Sequence, residues 1–334
     1  MNDNRPGQQA RREFIARCAK VCFSVAAASA VGIGLYEDTP PKRNPDRPEP
    51  LDAFDYSVAE MNGKICIARC APEKINRASA VRQAFSAIGG IQNLVRPGEH
   101  VLLKVNAAFA TPPLLGATSH PDLVEAMVDL CLEAGASNIT ITDNPINNPA
   151  SCFALTGIEK AARSAGAKII LPAHHLFSGF TLAEGQLISD WPVLLAPLAQ
   201  ADRVIGLAPV KDHHRSGASM TLKNWYGLLG GQRNIFHQNV HTIIQELSMM
   251  IKPTAVVLDG MQTMMTNGPT GGSLSDLKPT GTMIVSTDSV AADAVGAMLL
   301  GKQPQDLPFI AKAEKAGAGT ADYGSLDLKE IQVV

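Results

Sequence analysis

His100-Val-Leu-Leu-Lys-Val-Asn106, Pro121-Asp-Leu-Val-Glu-Ala-Met-Val-Asp-Leu-Cys-Leu-Glu133 and Asn138-Ile-Thr-Ile-Thr142 are the consecutive stretches on which the fold turns. The first is a short apolar run of the kind buried on both faces of a sheet. The second spaces its apolar residues at helical intervals. His120-Pro121 opens it, with proline suited to the first turn, and Gly135 closes it. The third is a β-branched run ending on Asp143. Strand, helix and strand in this order predict a crossover unit with parallel pairing.

The same grammar extends in both directions. Residues 64–68 form a short apolar run, and 76–88 have helical spacing that stops at Gly89-Gly90. Downstream, 157–164 read as helix and 168–171 as strand. Residues 201–208 and 254–258 are further strands, and the strand 282–286 feeds a helix over 288–300 that ends at Gly301. The expected class is α/β: a mainly parallel sheet with helices on both faces, Rossmann-like in layout. No Gly-x-Gly-x-x-Gly follows the first strand and no phosphate-loop signature is present, so the dinucleotide and nucleoside-triphosphate readings lose their main support.

The N-terminal part has a different character. Ala10-Arg11-Arg12-Glu13-Phe14-Ile15 precedes a mildly apolar run, rich in Ala, Ser and Gly, over 21–36. A basic region followed by a hydrophobic one is the layout of a targeting leader. The adjacent arginines resemble the twin-arginine signal, a receptor-read address that sends folded proteins out of the cytoplasm. The competing reading is an amphipathic surface helix with an incidental Arg pair. Ala28-Ser29-Ala30 offers a small-residue cut site, while the apolar residues after it leave an uncut anchor open. Prolines 40, 41, 45, 48 and 50 then describe a stiff extended linker. The expected organisation is a leader over 1–36, a linker over 37–55 and one α/β domain over 56–334. The expected location is periplasmic or otherwise extracytoplasmic, with the export machinery as a partner and membrane contact only through an uncut leader.

Composition bounds the function. Of 334 residues, 46% are hydrophobic and 18% charged, which suits a packed globular body rather than a disordered chain. The net charge is −2 and the leader is basic, so the remainder is more acidic than the whole. That argues against general nucleic-acid binding. Beyond the leader, whose cysteines are Cys18 and Cys22, stand Cys66, Cys70, Cys131 and Cys152. An oxidising compartment permits disulfides among them. On one strand, Cys66 and Cys70 would lie about 13 Å apart, beyond each other's reach.

Ligands of open parallel sheets bind beyond the carboxyl ends of the strands. Lys104 and Asn106 stand at one such end, and Asp143 and Asn144 at the next. Lys211-Asp212-His213-His214-Arg215 follows a third, Asp259-Gly260 a fourth, and Thr287-Asp288 the last. Each residue alone is equally suited to a cap or a turn, but the set marks a candidate site. Clustered Lys, His and Arg attract an anion or poise an acid or base, and a lysine crowded by cations becomes nucleophilic. Nearby Trp225 and Tyr226 suggest a wall rather than an open loop. His237 and His241, four apart in a helical stretch, share a face and suit either a metal or a structural role. Thr266-Asn-Gly-Pro-Thr-Gly-Gly-Ser273 is either a nest of backbone amides for an anion or an irregular connection. Met261, Met264 and Met265 before it suit core or pocket lining.

These segments, in order, resemble the domain-of-unknown-function 362 family. The resemblance is carried by Lys104-Val-Asn106, Thr118-Ser-His120-Pro121, Lys211-Asp-His213, Leu222-Lys-Asn224-Trp-Tyr226-Gly227, Arg233 with His237, Asp259-Gly260, Asn267-Gly-Pro269 with Gly272, and Ser286-Thr-Asp288-Ser-Val-Ala-Ala-Asp293. It runs from about residue 64 to the C-terminus. The family implies no general reaction. Some members carry cysteine-rich iron–sulfur modules, but this chain has no Cys-x-x-Cys-x-x-Cys run, so that cofactor is not carried over. The expected catalytic candidates are Lys104, Lys211, His213, Lys223 and His237, acting on a small anionic ligand. Asn106, His120, Asn224, Gly268 and Gly272 are candidates for holding a ligand or cofactor. Asp143, Asp259 and Asp288 are candidates for a divalent metal. The alternatives to an enzyme are a non-catalytic periplasmic binding or accessory protein and a metal- or cluster-linked redox protein.

Overall fold

Ile65 and Ile67 belong to one hydrophobic core, while Cys66 and Ala68 between them belong to a second. The same split recurs at Leu102 against Val101 and Leu103, at Val204 against Ile205, and at Val256 and Leu258 against Val257. Alternate side chains of a strand point to opposite faces. These continuous apolar runs therefore build a sheet covered on both sides. A computed structural model describes residues 51, 53–71 and 73–333. The leader, the candidate cut after Ala30 and most of the proline-rich linker lie outside the described residues.

The main sheet has nine strands. In chain order they are β1 (Lys64–Arg69), β2 (His100–Lys104), β3 (Asn138–Thr142), β4 (Lys168–Ile170), β5 (Arg203–His213), β6 (Gly217–Ser219), β7 (Ala255–Met264), β8 (Leu277–Ser286) and β9 (Asp327–Gln332). Their spatial order is β9-β1-β8-β7-β5-β2-β3-β4, with β6 folded back on the end of β5. Along that path only β8 runs against the rest. The fold is thus α/β with a mainly parallel sheet. Helices α1 (Arg77–Ala87), α2 (Pro121–Glu133) and α3 (Ile158–Ser164) cover one face. Helices α4 (Thr221–Asn224), α5 (Val240–Met250), α6 (Ser289–Leu299) and α7 (Pro308–Lys315) cover the other. No helix among the described residues is long and apolar enough to cross a membrane.

Two strands run further than the sequence suggests. The expected strand stops at 208, before Pro209, yet β5 continues through Lys211, Asp212 and His213 because β6 pairs with them antiparallel. Likewise β7 passes Asp259 and Gly260 and reaches Met264, held by β8 across a bulge between Gly260 and Gln262. Lys211–His213 and Asp259–Gly260 are therefore strand residues, not residues of the loops that follow. The four described cysteines are all buried and free. Met261 and Met264 are core residues.

Candidate functional site

Beyond the carboxyl ends of β2, β3 and β5 the structure opens a cleft of about 640 Å³. Asn106, Asp143 and Asn144 line it from the first two strands, and Lys211 and His213 from the third. Lys223, Asn224 and Tyr226 follow from α4 and the turn after it, with Arg233 and His237 from the next segment. Residues 267–271 of the glycine-rich loop close the opposite side. This is where the rule for open parallel sheets places a ligand.

Each wall has an identifiable support. Thr221 starts α4 because Asp293 of α6, wholly buried, accepts hydrogen bonds from Thr221 N (2.8 Å), Thr221 Oγ1 (2.6 Å) and Leu222 N (3.1 Å). That clamp fixes the direction in which Lys223 and Asn224 leave the turn. Burial pushes the Asp293 carboxyl up to about 7. The glycine-rich loop is held by Asp276, whose Oδ1 accepts from Thr266 Oγ1 (2.9 Å) and Asn267 Nδ2 (2.6 Å). Gly268 lies against Asp212 O so closely that a Cβ there would overlap it.

Lys104 lies behind the cleft rather than in it. Its Nζ is 2.8 Å from Asp143 Oδ1 and donates to Val105 O (2.7 Å) and to Asn224 O (2.9 Å). Neither side chain of the pair is more than 3% exposed. Asp143 Oδ2 accepts from Ala107 N at 2.7 Å. Burial lowers the Lys104 pKa, opposed by the Asp143 charge. Lys104 thus orders the floor of the cleft, and Asp143 is its counter-ion rather than a metal ligand.

Lys211 has different surroundings. Its Nζ donates to Ala117 O (2.5 Å) and Asn106 Oδ1 (3.3 Å), both uncharged, and makes no ion pair among the described residues. Burial and then the Lys223 charge lower its pKa to about 7. Lys223 Nζ sits 4.9 Å over the Tyr226 ring and has no hydrogen bond or carboxylate partner among the described residues. Burial, followed by the Arg233 charge, lowers it to about 8. Arg233, 9% exposed, donates only to carbonyls: Tyr226 and Leu229 through Nη1, Asn144 and Pro145 through Nη2. Among the described residues that line or floor the cleft, the cations outnumber the one carboxylate, Asp143.

Three imidazoles form a stack over these cations. The His213 ring lies parallel to His214 (5.1 Å between centroids) and to His237 (6.0 Å). Nδ1 of His213 accepts from Arg215 N and Ser216 N, both at 3.2 Å. The neutral ring therefore carries its proton on Nε2. Burial first, then Lys223 and the neighbouring rings, push the His213 pKa down to about 2. His237 is lowered by burial and by Lys223.

Of the sequence candidates, Asn106, Asp143, Lys211, His213, Lys223, Asn224, His237 and Gly268 line this cleft. Others do not. Asp259 shares the face of Val257 on β7 and pairs with Arg77 Nε of α1 at 2.7 Å. Asp288 caps α6, accepting from Val290 N (2.8 Å) and Ala291 N (2.9 Å). Asp143, Asp259 and Asp288 thus serve three separate partners, and the expected metal set does not assemble. Among the described residues no group of three His, Cys, Asp or Glu could hold a metal ion. The His stack is no exception, since parallel rings do not aim their in-plane lone pairs at one point. His120 caps α2 instead of lining the cleft. Gly272 lies just beyond its lining residues. His241 stacks on Phe309 and His237 on His213, so of the two readings of this pair the structure agrees with the structural one. Arg233 had no role assigned from sequence. Its signal was a basic residue ten positions after Lys223, which does not reveal that the chain doubles back between them.

The chain is 27% identical over 251 residues to the Thylakoid-associated protein sll1697 of Synechocystis sp., covering 72% of this chain and 74% of that protein. Among solved structures it aligns with a lactate racemase apoprotein from Thermoanaerobacterium thermosaccharolyticum at 11% identity and a TM-score of 0.36, covering 71% of this chain and 57% of that one. The family model described as Domain of unknown function (DUF362) matches residues 101–298, from β2 through α6 and hence every strand and helix that lines the cleft. The chain belongs to that family.

Proposed function

We propose that the protein is an enzyme acting on a small anionic molecule held in the cleft between β2, β3, β5 and the glycine-rich loop. The observation that supports this most is the charge imbalance. Lys223 and Arg233 line one cavity with the amine of Lys211, and Asp143, the one carboxylate that lines it among the described residues, is already taken by Lys104. Buried cations without counter-ions are costly, and an anionic ligand removes that cost. The lowered pKa values of Lys211 and Lys223 place proton-transfer groups near neutral pH, which a passive binding site does not need. The test is a thermal-shift titration with phosphate, acetate and citrate at constant ionic strength, followed by product analysis of compounds that bind. Saturable stabilisation of the native protein, lost in Lys223→Met, is expected. No stabilisation by any of the three would remove the reading, and binding without turnover of any hit would favour an accessory binding protein.

We also propose that the protein acts outside the cytoplasm, directed there by the arginine pair Arg11-Arg12. The relative in Synechocystis is named thylakoid-associated, which agrees with a place at or across a membrane. A reporter fused after residue 55 should be exported, and Arg11→Lys with Arg12→Lys should stop it. Export unchanged in that double variant would exclude the route.

A further inference from the structure

Two lysines stand towards the carboxyl ends of the neighbouring strands β2 and β5, and their surroundings assign them opposite protonation states. Lys104 Nζ has a carboxylate and backbone carbonyls around it. That is the environment of an ammonium ion, with every proton donated. Lys211 Nζ has two acceptors, Ala117 O and Asn106 Oδ1, and neither is charged. A neutral amine has two N–H donors and one lone pair, so these two partners account for both protons and leave the lone pair over. Lys211 also lines the cleft, whereas Lys104 does not. The charged groups acting on Lys211 are Lys223 and Lys104, which favour the neutral amine, and Asp143, which opposes them. The Phe109 ring lies 5.5 Å from its Nζ and keeps that side apolar.

We propose that Lys211 is the nucleophile of a covalent step, in which its Nζ adds to the carbonyl carbon of a small compound that also carries a carboxylate or phosphate. This rests on the anion reading of the cleft and narrows it to anionic carbonyl compounds, of which 2-oxo acids are the simplest. In the step the Nζ lone pair forms the new C–N bond. The π pair of the carbonyl moves to its oxygen, which takes a proton from the Lys223 ammonium. The nitrogen then loses its protons and the hydroxyl leaves as water, giving a C=N bond with no change in oxidation state. Lys223 regains its proton from the nitrogen, so the sum is amine plus carbonyl giving imine plus water. The His213 Nε2–H provides a donor in the same cleft for the oxygen while it bears charge. Asn106 and Ala117 hold the amine in one orientation throughout.

Glyoxylate is a stringent probe, because the smallest carbonyl carboxylate meets no steric barrier in a cleft of about 640 Å³. The full-length protein is incubated with glyoxylate and cyanoborohydride, digested and mapped by mass spectrometry. One reduced adduct on the peptide carrying Lys211 is expected, saturating with glyoxylate and forming faster as pH rises through about 7. Formaldehyde, which lacks the carboxylate, should show no such saturation at Lys211. Lys211→Arg should lose the adduct while its circular dichroism stays that of the native fold. If phosphate stabilises the protein through Lys223 but glyoxylate labels Lys211 no faster than exposed lysines, the covalent step is wrong and the anion site stands. If phosphate fails to stabilise and Lys211 is unlabelled, both readings fall.

Discussion

Gly227 has no side chain where Lys104 and Asp143 meet. A Cβ built on it would overlap Asp143 Oδ1 and come within 2.8 Å of Lys104 Nζ. The most deeply buried ion pair among the described residues and the turn that carries Tyr226 are thus packed backbone to side chain, and Asn144 N completes the contact by donating to Gly227 O at 3.0 Å. Gly227→Ala should destabilise by about 1–3 kcal/mol, as overpacking of a dense site does. Urea denaturation measures it. Because the same shift moves Tyr226, the stabilisation by phosphate should weaken too, and a variant with native stability would show that the turn yields freely.

Removing one partner of the pair is a more severe change. Asp143→Ala leaves the Lys104 ammonium in a buried site with carbonyls alone, and such orphaned charges cost about 3–5 kcal/mol. Lys104→Met with Asp143→Asn removes both charges and should recover much of that loss, since the pair itself is worth little against apolar replacements of similar volume. Equilibrium unfolding of the single and double variants decides this. Equal losses in both would mean that the site depends on the charged pair itself rather than on sparing Lys104 an orphaned charge.

The pH dependence of stability should carry the signature of His213. Its ring binds a proton below about 6.5 when unfolded but only near 2 when folded. The unfolded chain therefore binds more protons throughout that window, and stability falls as pH drops from 6.5 towards 2. Each unit of pH removes at most about 1.4 kcal/mol through this one group. His213→Asn keeps an acceptor near Arg215 N and Ser216 N but does not titrate. Melting temperatures between pH 7 and pH 4 should decline less steeply in that variant than in the native protein. Parallel curves would mean that acid acts elsewhere.

What the sequence displayed and what it hid divides along the range of the interactions. Strands β2 and β3 were legible because uninterrupted apolar runs can be buried on both faces only in a covered sheet. The end of β5 was not, because Lys211 and His213 look like loop residues until β6, which folds back on them, is known. The site shows the same division. That cations gather at the strand ends could be read locally. That Lys104 is paired and Lys211 is not depends on Asp143 on the neighbouring strand and on the carbonyl of Ala117, far away along the chain. Asp259 misled for the same reason, since its partner Arg77 lies 182 positions earlier, at the start of the helix that covers the same face.

Asp288 offers the cleanest separation between holding the fold and serving the cleft. Its carboxylate accepts from Val290 N, Ala291 N and Thr320 N, so it satisfies donors at the start of α6 and anchors the segment before β9. Burial raises its pKa above the usual carboxylate value, and the three backbone donors work against that rise. Loss of an N-cap costs about 1 kcal/mol in a typical helix, and the added tie to Thr320 places Asp288→Ala at the upper end, near 2 kcal/mol. α6 also carries Asp293, the clamp on Thr221, but one helical turn further in and buried. Fraying of the first residues should leave that clamp closed. The variant should therefore unfold at lower urea while its stabilisation by phosphate and its labelling by glyoxylate stay unchanged. A parallel loss of phosphate stabilisation would show that α6 moves as one body and that its N-terminus reaches the cleft through Asp293.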